Sequence, residues 1–177
     1  YGLTFEKRTD IPVYNPSVET YEVKDRDSSH LAILYLDYPT RAGKNAGAWC
    51  SGLRSYKKLP DGSEQFPIVT VTTNFPEPVG DQPVLLSWDE AETLFHEFGH
   101  ALHFLFHDVK YRGLAEVEGD FVELPSQLME NWAFDPEVLK QYAVHYRSNE
   151  VIPKYLVDKL RRSELFNQGF MATELIA

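Results

Sequence analysis

Cysteine, long apolar runs and clusters of basic residues are scarce or missing in this sequence. Its one cysteine, Cys50, cannot close an internal disulfide, so we interpret it as a half-buried core thiol that requires no oxidising compartment. The longest apolar stretches, such as residues 31–36, fall far short of the roughly 20 residues of a membrane helix. Lysine and arginine number 17 against 27 acidic residues, whereas duplex nucleic acid is bound by neutralising its phosphates. We therefore expect neither a membrane nor a nucleic acid as a partner.

The 177 residues contain enough apolar surface for one globular domain. Hydrophobic residues make up 43% and aromatic residues 14% of the chain, which is typical of neither low-complexity nor disordered sequences. No repeat or linker divides the sequence, so we expect a single domain over residues 1–177. The chain starts without Met and ends at Ala177 within a helical pattern, so we also expect flanking regions of a longer protein.

Residues 1–75 carry the patterns of three or four β-strands. Strands are predicted by alternation at residues 21–26, by a continuous apolar run at 30–36 that fits burial on both faces, and by β-branched residues at 67–72. Residues 59–63 (LPDGS) predict a hairpin in which Gly62 has a positive φ. Residues 39–52 are rich in Gly, Ala and Arg, and they are interpreted as a surface loop or a loop held near a site.

From residue 87 the pattern becomes helical. Ser87 and Glu90 fit a capping box, and apolar residues then follow at helical spacing: Leu94, Phe95, Phe98, Leu102 and Leu105. We expect this helix to run to about His107, a length of roughly 30 Å.

Three further helices are predicted after the first one. They lie over residues 122–132, from Asp135 as N-cap with Pro136 at the first position, and from Pro153 onwards. The last of them should carry on one side Leu156, Leu160 and Leu165. Strands over residues 1–75 followed by helices over 87–177 are typical of an α+β fold, with a small antiparallel or mixed sheet in the N-terminal half.

The most informative motif is the run from His96 to His100, HEFGH. Positions i and i+4 lie about 40° apart around a helix, so both imidazoles can hold one Zn²⁺. Glu97 lies about 100° round from His96, where a carboxylate flanks the metal and can take a proton from metal-bound water. A chain of this composition would contain on the order of 0.02 such motifs by chance.

Gly99 and a second histidine pair refine this interpretation. A glycine within a helix costs about 1 kcal/mol relative to alanine, so we expect another backbone or a substrate to approach Gly99 closely. His103 and His107 also stand four residues apart, but they enclose Phe104 rather than a glutamate, so this pair has no base beside it. We interpret these two histidines as helix-surface residues or neighbours of the site.

A catalytic zinc usually has three protein ligands, so a third should follow the two histidines. The acidic candidates are Glu116, Glu118, Asp120, Glu123 and Glu130. Glu123 starts an apolar-patterned helix, from which it would be held rigidly opposite the first helix. Alternatively, Asp120 and Glu123 form a capping box. The residues alone leave both interpretations open.

Two segments closely resemble the thimet oligopeptidase family of zinc metallopeptidases, which includes oligopeptidase A and peptidyl-dipeptidase. They are residues 95–103 (FHEFGHALH) and 120–132 (DFVELPSQLMENW). Shorter stretches at 36–44, 48–49 and 73–75 are also similar to the family. The resemblance covers most of residues 20–135.

The resemblance implies one Zn²⁺ per chain, with His96, His100 and Glu123 as ligands and Glu97 as general base. It implies a helical, zincin-type second half and short peptides as substrates, and it makes this chain the central catalytic segment of such an enzyme. The family's segment rich in Tyr and His, which stabilises the oxyanion, lies beyond Ala177. Residues 107–119 are about two residues shorter than the family pattern, which a loop absorbs. Together with the single cysteine, the family habit favours the cytoplasm, with the periplasm as the alternative.

Several alternatives stay open at this point. Endopeptidase and peptidyl-dipeptidase differ in the groups that grip the substrate's C-terminal carboxylate, and four basic residues are candidates: Arg41, Lys44, Arg112 and Arg147. An extended substrate is expected to pair with an edge strand, for example residues 67–72. A non-catalytic zinc-binding domain would close its metal site with His103 or Glu118. A metal-free helical core with surface histidines is the third interpretation.

Overall fold

The computed structural model describes residues 1–77, 79–81, 83–115, 117–163, 165–166 and 168–174. The strands are β1 (Thr4–Arg8), β2 (Glu19–Lys24), β3 (His30–Pro39), β4 (Trp49–Arg54), β5 (Lys57–Lys58), β6 (Glu64–Gln65) and β7 (Ile68–Phe75). The α-helices are α1 (Trp88–Leu105), α2 (Leu124–Ala133), α3 (Pro136–Tyr142), α4 (Lys154–Ser163) and α5 (Gln168–Glu174), and a 3-10 turn spans Arg112–Ala115. The ligand candidate Glu116 and the predicted helical pattern at residues 175–177 lie outside the described residues.

The chain folds into two compact units, Tyr1–Asn131 and Trp132–Ala177. The first contains the sheet and α1. The second contains α3, α4 and α5, together with an isolated antiparallel bridge between Val144 and Val151. Among the described residues, no helix is both long and apolar enough to cross a membrane.

The described residues of the first unit form a five-stranded mixed sheet in the order β1-β2-β3-β7-β4. β3 and β7 pair in parallel, and the other pairings are antiparallel. Side chains from the sheet and from two helices share one core: Val23, Ala32, Leu34, Val69 and Val71, with Ala101, Leu102, Leu105 and Met129. A mixed sheet followed by helices confirms the predicted α+β class.

The predicted strands exist, with longer or shifted bounds. β3 alternates fully buried residues, such as Ala32 and Leu34, with half-buried ones, so only one face is fully covered. The hairpin is formed as predicted, because Leu59 N–H donates to the Ser63 carbonyl and Gly62 has a φ of +86°.

The loop interpretation of residues 39–52 is wrong at its C-terminal end. Residues from Trp49 onwards form β4, whose sequence WCSGLR lacks the alternation of a typical strand. The strand nevertheless forms because it pairs with β7 and packs under α1. A Cβ on Gly52 would lie only 3.2 Å from Phe104 Cε1, so the absence of a side chain there lets the helix sit close to the strand.

α1 begins as predicted and ends two residues early. Glu90 N–H donates to Ser87 Oγ at 3.2 Å, and Ser87 N–H donates to Glu90 Oε2 at 2.7 Å, which completes the capping box. Leu105 is the last helical residue rather than His107, because the chain leaves helical geometry at Phe106 (ψ 9°).

The helices after α1 also match the prediction with corrected bounds. α2 starts at Leu124, and the described hydrogen bonds do not include the alternative capping box between Asp120 and Glu123. Asp135 caps α3 by accepting hydrogen bonds from two backbone N–H groups, with Pro136 at the first helical position. α4 ends at Ser163, so Leu165 does not extend its predicted apolar side.

Candidate metal centre

His96 and His100 project from the same side of α1 because they are four residues apart in a regular helix. Their ring centroids lie 5.0 Å apart, and both side chains are half-buried. Burial lowers the pKa of His100, which favours the neutral imidazole that can coordinate a metal.

Glu123, which immediately precedes α2, faces both histidines. Its Oε2 lies 3.2 Å from His96 Nε2 and 3.2 Å from His100 Nε2. Ser126 Oγ donates to the same oxygen at 2.8 Å, and this hydrogen bond is the main reason that the pKa of Glu123 is lowered. The carboxylate is therefore both held in place and kept ionised.

The three residues form a donor set that suits Zn²⁺. One ligand atom from each residue lies within 4.8 Å of those from the other two. Among the described residues, no other group of three or more potential metal ligands comes this close together. Zinc ligands bind at about 2.0–2.2 Å, so atoms this close can share one ion. A zinc ion held by two imidazole nitrogens and one carboxylate oxygen would have a fourth position free for water or substrate. Half of the Glu123 side chain is exposed, which keeps the group accessible from solvent.

Glu97 lies on the buried side of α1, with only 6% of its surface exposed. Its Oε2 has no hydrogen-bond partner among the described residues. Burial raises the pKa of Glu97, and the negative charge of Glu123 adds to this effect. Such a carboxyl binds a proton more readily than an ordinary surface glutamate does.

The negative charge of Glu97 affects the ionisation of the Cys50 thiol. Burial, reinforced by the Glu97 carboxylate, raises the pKa of the Cys50 thiol to about 12. The thiol therefore stays protonated and unreactive at neutral pH. This agrees with its interpretation as a half-buried core residue.

The other candidate ligands take different positions. Glu130 Oε1 lies 2.6 Å from His96 Nδ1, on the opposite edge of the ring from Glu123, so it does not join the ligand group. Glu118 and Asp120 are also outside that group, within the part of the chain that the structure describes. The sequence signal for this position of Glu130 is its spacing: it follows Glu123 by seven residues, which is about two helical turns and returns to the same face.

His103 and His107 stand beside the site rather than in it. Their ring centroids are 5.2 Å apart, and with His100 they line a cavity of about 470 Å³. Burial lowers the pKa of His107, so its imidazole is neutral. This position agrees with their interpretation as neighbours of the site.

Two of the four basic residues that are candidates for binding a substrate's C-terminal carboxylate form ion pairs within the fold instead. Arg41 Nη2 donates to Asp37 Oδ2 at 2.8 Å, and Lys44 Nζ donates to Asp37 Oδ1 at 3.0 Å. The Lys44 side chain is only 3% exposed. Arg147 stacks over the Tyr146 ring in the second unit, and the side chain of Arg112 lies outside the described residues. Arg41 and Lys44 therefore hold a buried carboxylate of the fold itself.

Comparison with known proteins gives matches over the whole chain. A family model described as Peptidase family M3 matches residues 1–177. Dipeptidyl carboxypeptidase of Salmonella typhimurium is 42% identical over 178 residues, which cover 99% of this chain and 26% of the relative. Oligopeptidase A of the same bacterium is 40% identical over 163 residues, which cover 90% of this chain and 24% of the relative. Organellar oligopeptidase A of Arabidopsis thaliana is 35% identical over 177 residues, which cover 96% of this chain and 22% of the relative.

The chain spans about a quarter of the length of these relatives. The family match and the names of the relatives confirm the resemblance to the thimet oligopeptidase family. On these grounds the chain belongs to peptidase family M3.

Proposed function

We propose that this chain is the central catalytic segment of a zinc-dependent metallopeptidase that hydrolyses short peptides. The observation that carries the proposal is the convergence of two imidazole nitrogens from α1, the helix that also carries Glu97, and one carboxylate oxygen of Glu123 within 4.8 Å. The peptidase names of the relatives support a peptide substrate. We also propose a cytoplasmic location.

In this proposal His96, His100 and Glu123 hold the zinc ion. Bound Zn²⁺ would supply Lewis-acid chemistry, since it lowers the pKa of a water molecule and polarises the scissile carbonyl. The Glu97 carboxylate accepts the proton of the attacking water and later delivers it to the leaving amine. Its raised pKa suits both steps, because a base with a pKa nearer to neutrality also returns the proton more easily.

β4 is the strand that we propose for pairing with an extended substrate. The sequence-based suggestion of residues 67–72 is wrong, because β7 is hydrogen-bonded to β3 on one side and to β4 on the other. β4 lies at the edge of the described sheet and packs against α1, which carries the histidines. A peptide added to this edge would gain main-chain hydrogen bonds.

Two types of peptidase activity are compatible with the proposed site, that of an oligopeptidase and that of a peptidyl-dipeptidase. Dipeptidyl carboxypeptidase and oligopeptidase A of Salmonella typhimurium are 42% and 40% identical to this chain, so the similarity favours neither. We propose an oligopeptidase, with peptidyl-dipeptidase activity as the alternative. The engagement of Arg41 and Lys44 with Asp37 argues against these two as the grip for a substrate carboxylate.

A non-catalytic zinc-binding domain is the rival proposal. It would need a fourth ligand, and its candidates His103 and Glu118 lie outside the ligand group formed by the described residues. An open fourth position is typical of catalytic zinc, whereas structural zinc is usually closed by four protein ligands. Glu97, which follows His96 on α1 and is buried, acts as a base only in the catalytic proposal.

Zinc stoichiometry tests the proposal directly. The chain is purified without added metal, and its zinc content is measured by mass spectrometry alongside Glu123→Ala and Glu118→Ala. We expect one equivalent in the parent and in Glu118→Ala, and a sharp fall in Glu123→Ala. A folded parent without zinc would overturn the proposal, and loss of zinc in Glu118→Ala would favour the closed structural site.

A further inference from the structure

Two carboxylates contact the two ring nitrogens of the same histidine. Glu123 Oε2 lies 3.2 Å from Nε2 of His96, and Glu130 Oε1 lies 2.6 Å from Nδ1. The distance to Glu130 is the shorter one, and both side chains of that pair are partly buried. The His96 ring is therefore fixed from both edges.

Both carboxylates are delivered by one helix. Glu123 immediately precedes α2, and Glu130 follows two turns later, within it. α2 comes close to α1 because Gly99 has no side chain there: a Cβ would lie 2.6 Å from the Ser126 Cα. The position of α2 against α1 thus sets the distances of both carboxylates from His96.

The chemistry of the pair assigns the proton on the ring. A histidine that gives a metal the lone pair of Nε2 carries its ring hydrogen on Nδ1, and a Glu130 oxygen at 2.6 Å from Nδ1 is placed to accept it. A neutral imidazole carries one ring hydrogen, which leaves the lone pair on Nε2. Nε2 is the nitrogen that faces Glu123 and belongs to the ligand group.

We propose that Glu130 is a positioning residue, which holds His96 in the Nδ1–H tautomer and directs its Nε2 lone pair at the metal. This inference rests on the proposed zinc site, and it gives Glu130 a role distinct from that of a ligand. Carboxylates that accept from the second nitrogen of a metal-bound histidine raise the basicity of the ligand and fix its ring. Their removal typically weakens metal binding about 10- to 100-fold.

The test compares Glu130→Ala and Glu130→Gln with a charge-matched control. Glutamine keeps an oxygen that accepts from Nδ1, whereas alanine removes the acceptor. Glu137→Gln removes one negative charge from an exposed side chain of α3 and serves as the control. Zinc affinity is measured by competition with a chromophoric chelator, and the hydrogen-bonded Nδ1–H of His96 is followed in the zinc-loaded proteins by ¹⁵N–¹H correlation NMR.

We expect zinc affinity to fall about 10- to 100-fold in Glu130→Ala, to fall less in Glu130→Gln and to stay within about twofold of the parent in Glu137→Gln. The zinc-loaded parent and Glu130→Gln should show a slowly exchanging, hydrogen-bonded Nδ1–H of His96, and Glu130→Ala should lose this signal. Added formate should restore part of the zinc affinity of Glu130→Ala by supplying the missing carboxylate.

The outcomes separate this inference from the proposed function. If the parent binds one zinc and Glu130→Ala binds it equally well with an unchanged Nδ1–H signal, the positioning role is overturned while the zinc site stands. If the parent binds no zinc, the proposed function fails first. If Glu130→Ala does not fold, the zinc-loaded parent decides: a His96 Nδ1–H that exchanges with solvent as fast as an exposed imidazole N–H contradicts the role.

Discussion

Gly99 of α1 touches the backbone of Pro125 in α2, so closely that a Cβ on Gly99 would lie 2.6 Å from the Pro125 carbonyl oxygen. This contact explains a glycine in the middle of a helix, and it agrees with the expectation that another backbone approaches there. His100 directly follows Gly99 on α1, and His96 lies three residues before it. Packing at this one position therefore sets how near Glu123 can come to them.

The first prediction concerns Gly99→Ala. Alanine should stabilise an isolated helix by about 1 kcal/mol, but here the methyl group meets backbone atoms that cannot rotate away. We expect a net loss of about 1–3 kcal/mol in the free energy of unfolding, together with weaker zinc binding as α2 moves outwards. Denaturant titration and chelator competition measure the two effects. Gly113→Ala, with no atom within 4 Å of its Cβ, is the matched control, and an equal effect there would contradict the packing argument.

The second prediction concerns the buried carboxylate Asp37. Burial alone would raise its pKa, but hydrogen bonds from Arg41, Lys44 and Tyr14 outweigh burial and hold the pKa at about 2. A carboxyl whose pKa is lower in the folded chain than in the unfolded one stabilises the fold at pH values above the unfolded-state pKa of about 4. This stabilisation is lost as the pH falls through the folded-state pKa of about 2. Asp37→Asn should therefore cost at least about 2 kcal/mol at pH 7, and the difference from the parent should shrink between pH 4 and 2.

Unfolding free energies of Asp37→Asn and the parent, measured from pH 7 to pH 2.5, check this prediction. Asp158→Asn, which breaks an exposed pair with Lys154, should change stability by less than about 1 kcal/mol at any pH. A cost for Asp37→Asn that does not vary with pH would show that the carboxylate charge is not what stabilises the fold.

The features that sequence predicted well are local ones. The capping box of α1 depends on Ser87 and Glu90, three residues apart, and the histidine pair depends on four-residue spacing within the same helix. Both follow from helix geometry alone, so they could be read before any tertiary contact was known. The same holds for the N-cap of α3 at Asp135.

The features that sequence missed depend on contacts between distant segments. β4 has a weak strand pattern, and it is ordered by pairing with β7 and by the fit of Gly52 under Phe104. The edge of the sheet could not be assigned because β3 pairs with β7, from which β4, β5 and β6 separate it in the chain. Glu123 and Glu130 were both plausible ligands, and only the placement of α2 against α1 puts them on opposite edges of one ring.

The third prediction rests on the proposed function and concerns Glu97→Gln in a longer protein that contains these residues and cleaves peptides. Glutamine has nearly the same shape but cannot accept the proton of the attacking water. We expect turnover of a short peptide to fall about 10²- to 10⁴-fold while the zinc content stays at one equivalent. Glu118→Gln, an exposed acid outside the ligand group, should keep both. Near-normal turnover in Glu97→Gln would exclude Glu97 as the base.

The fourth prediction concerns metal removal. A ligand that binds only the folded state at 100 times its dissociation constant stabilises by about 2.7 kcal/mol, which for a chain of this size raises Tm by roughly 5–10 °C. Calorimetry with zinc and with a chelator should show this shift in the parent and lose it in Glu123→Ala. His103→Asn should keep the shift, because His103 lies outside the ligand group of the described residues. Loss of the shift in His103→Asn would instead indicate a closed four-ligand site. In an open site water takes the fourth position, whereas zinc binding in a closed site depends on all four protein ligands.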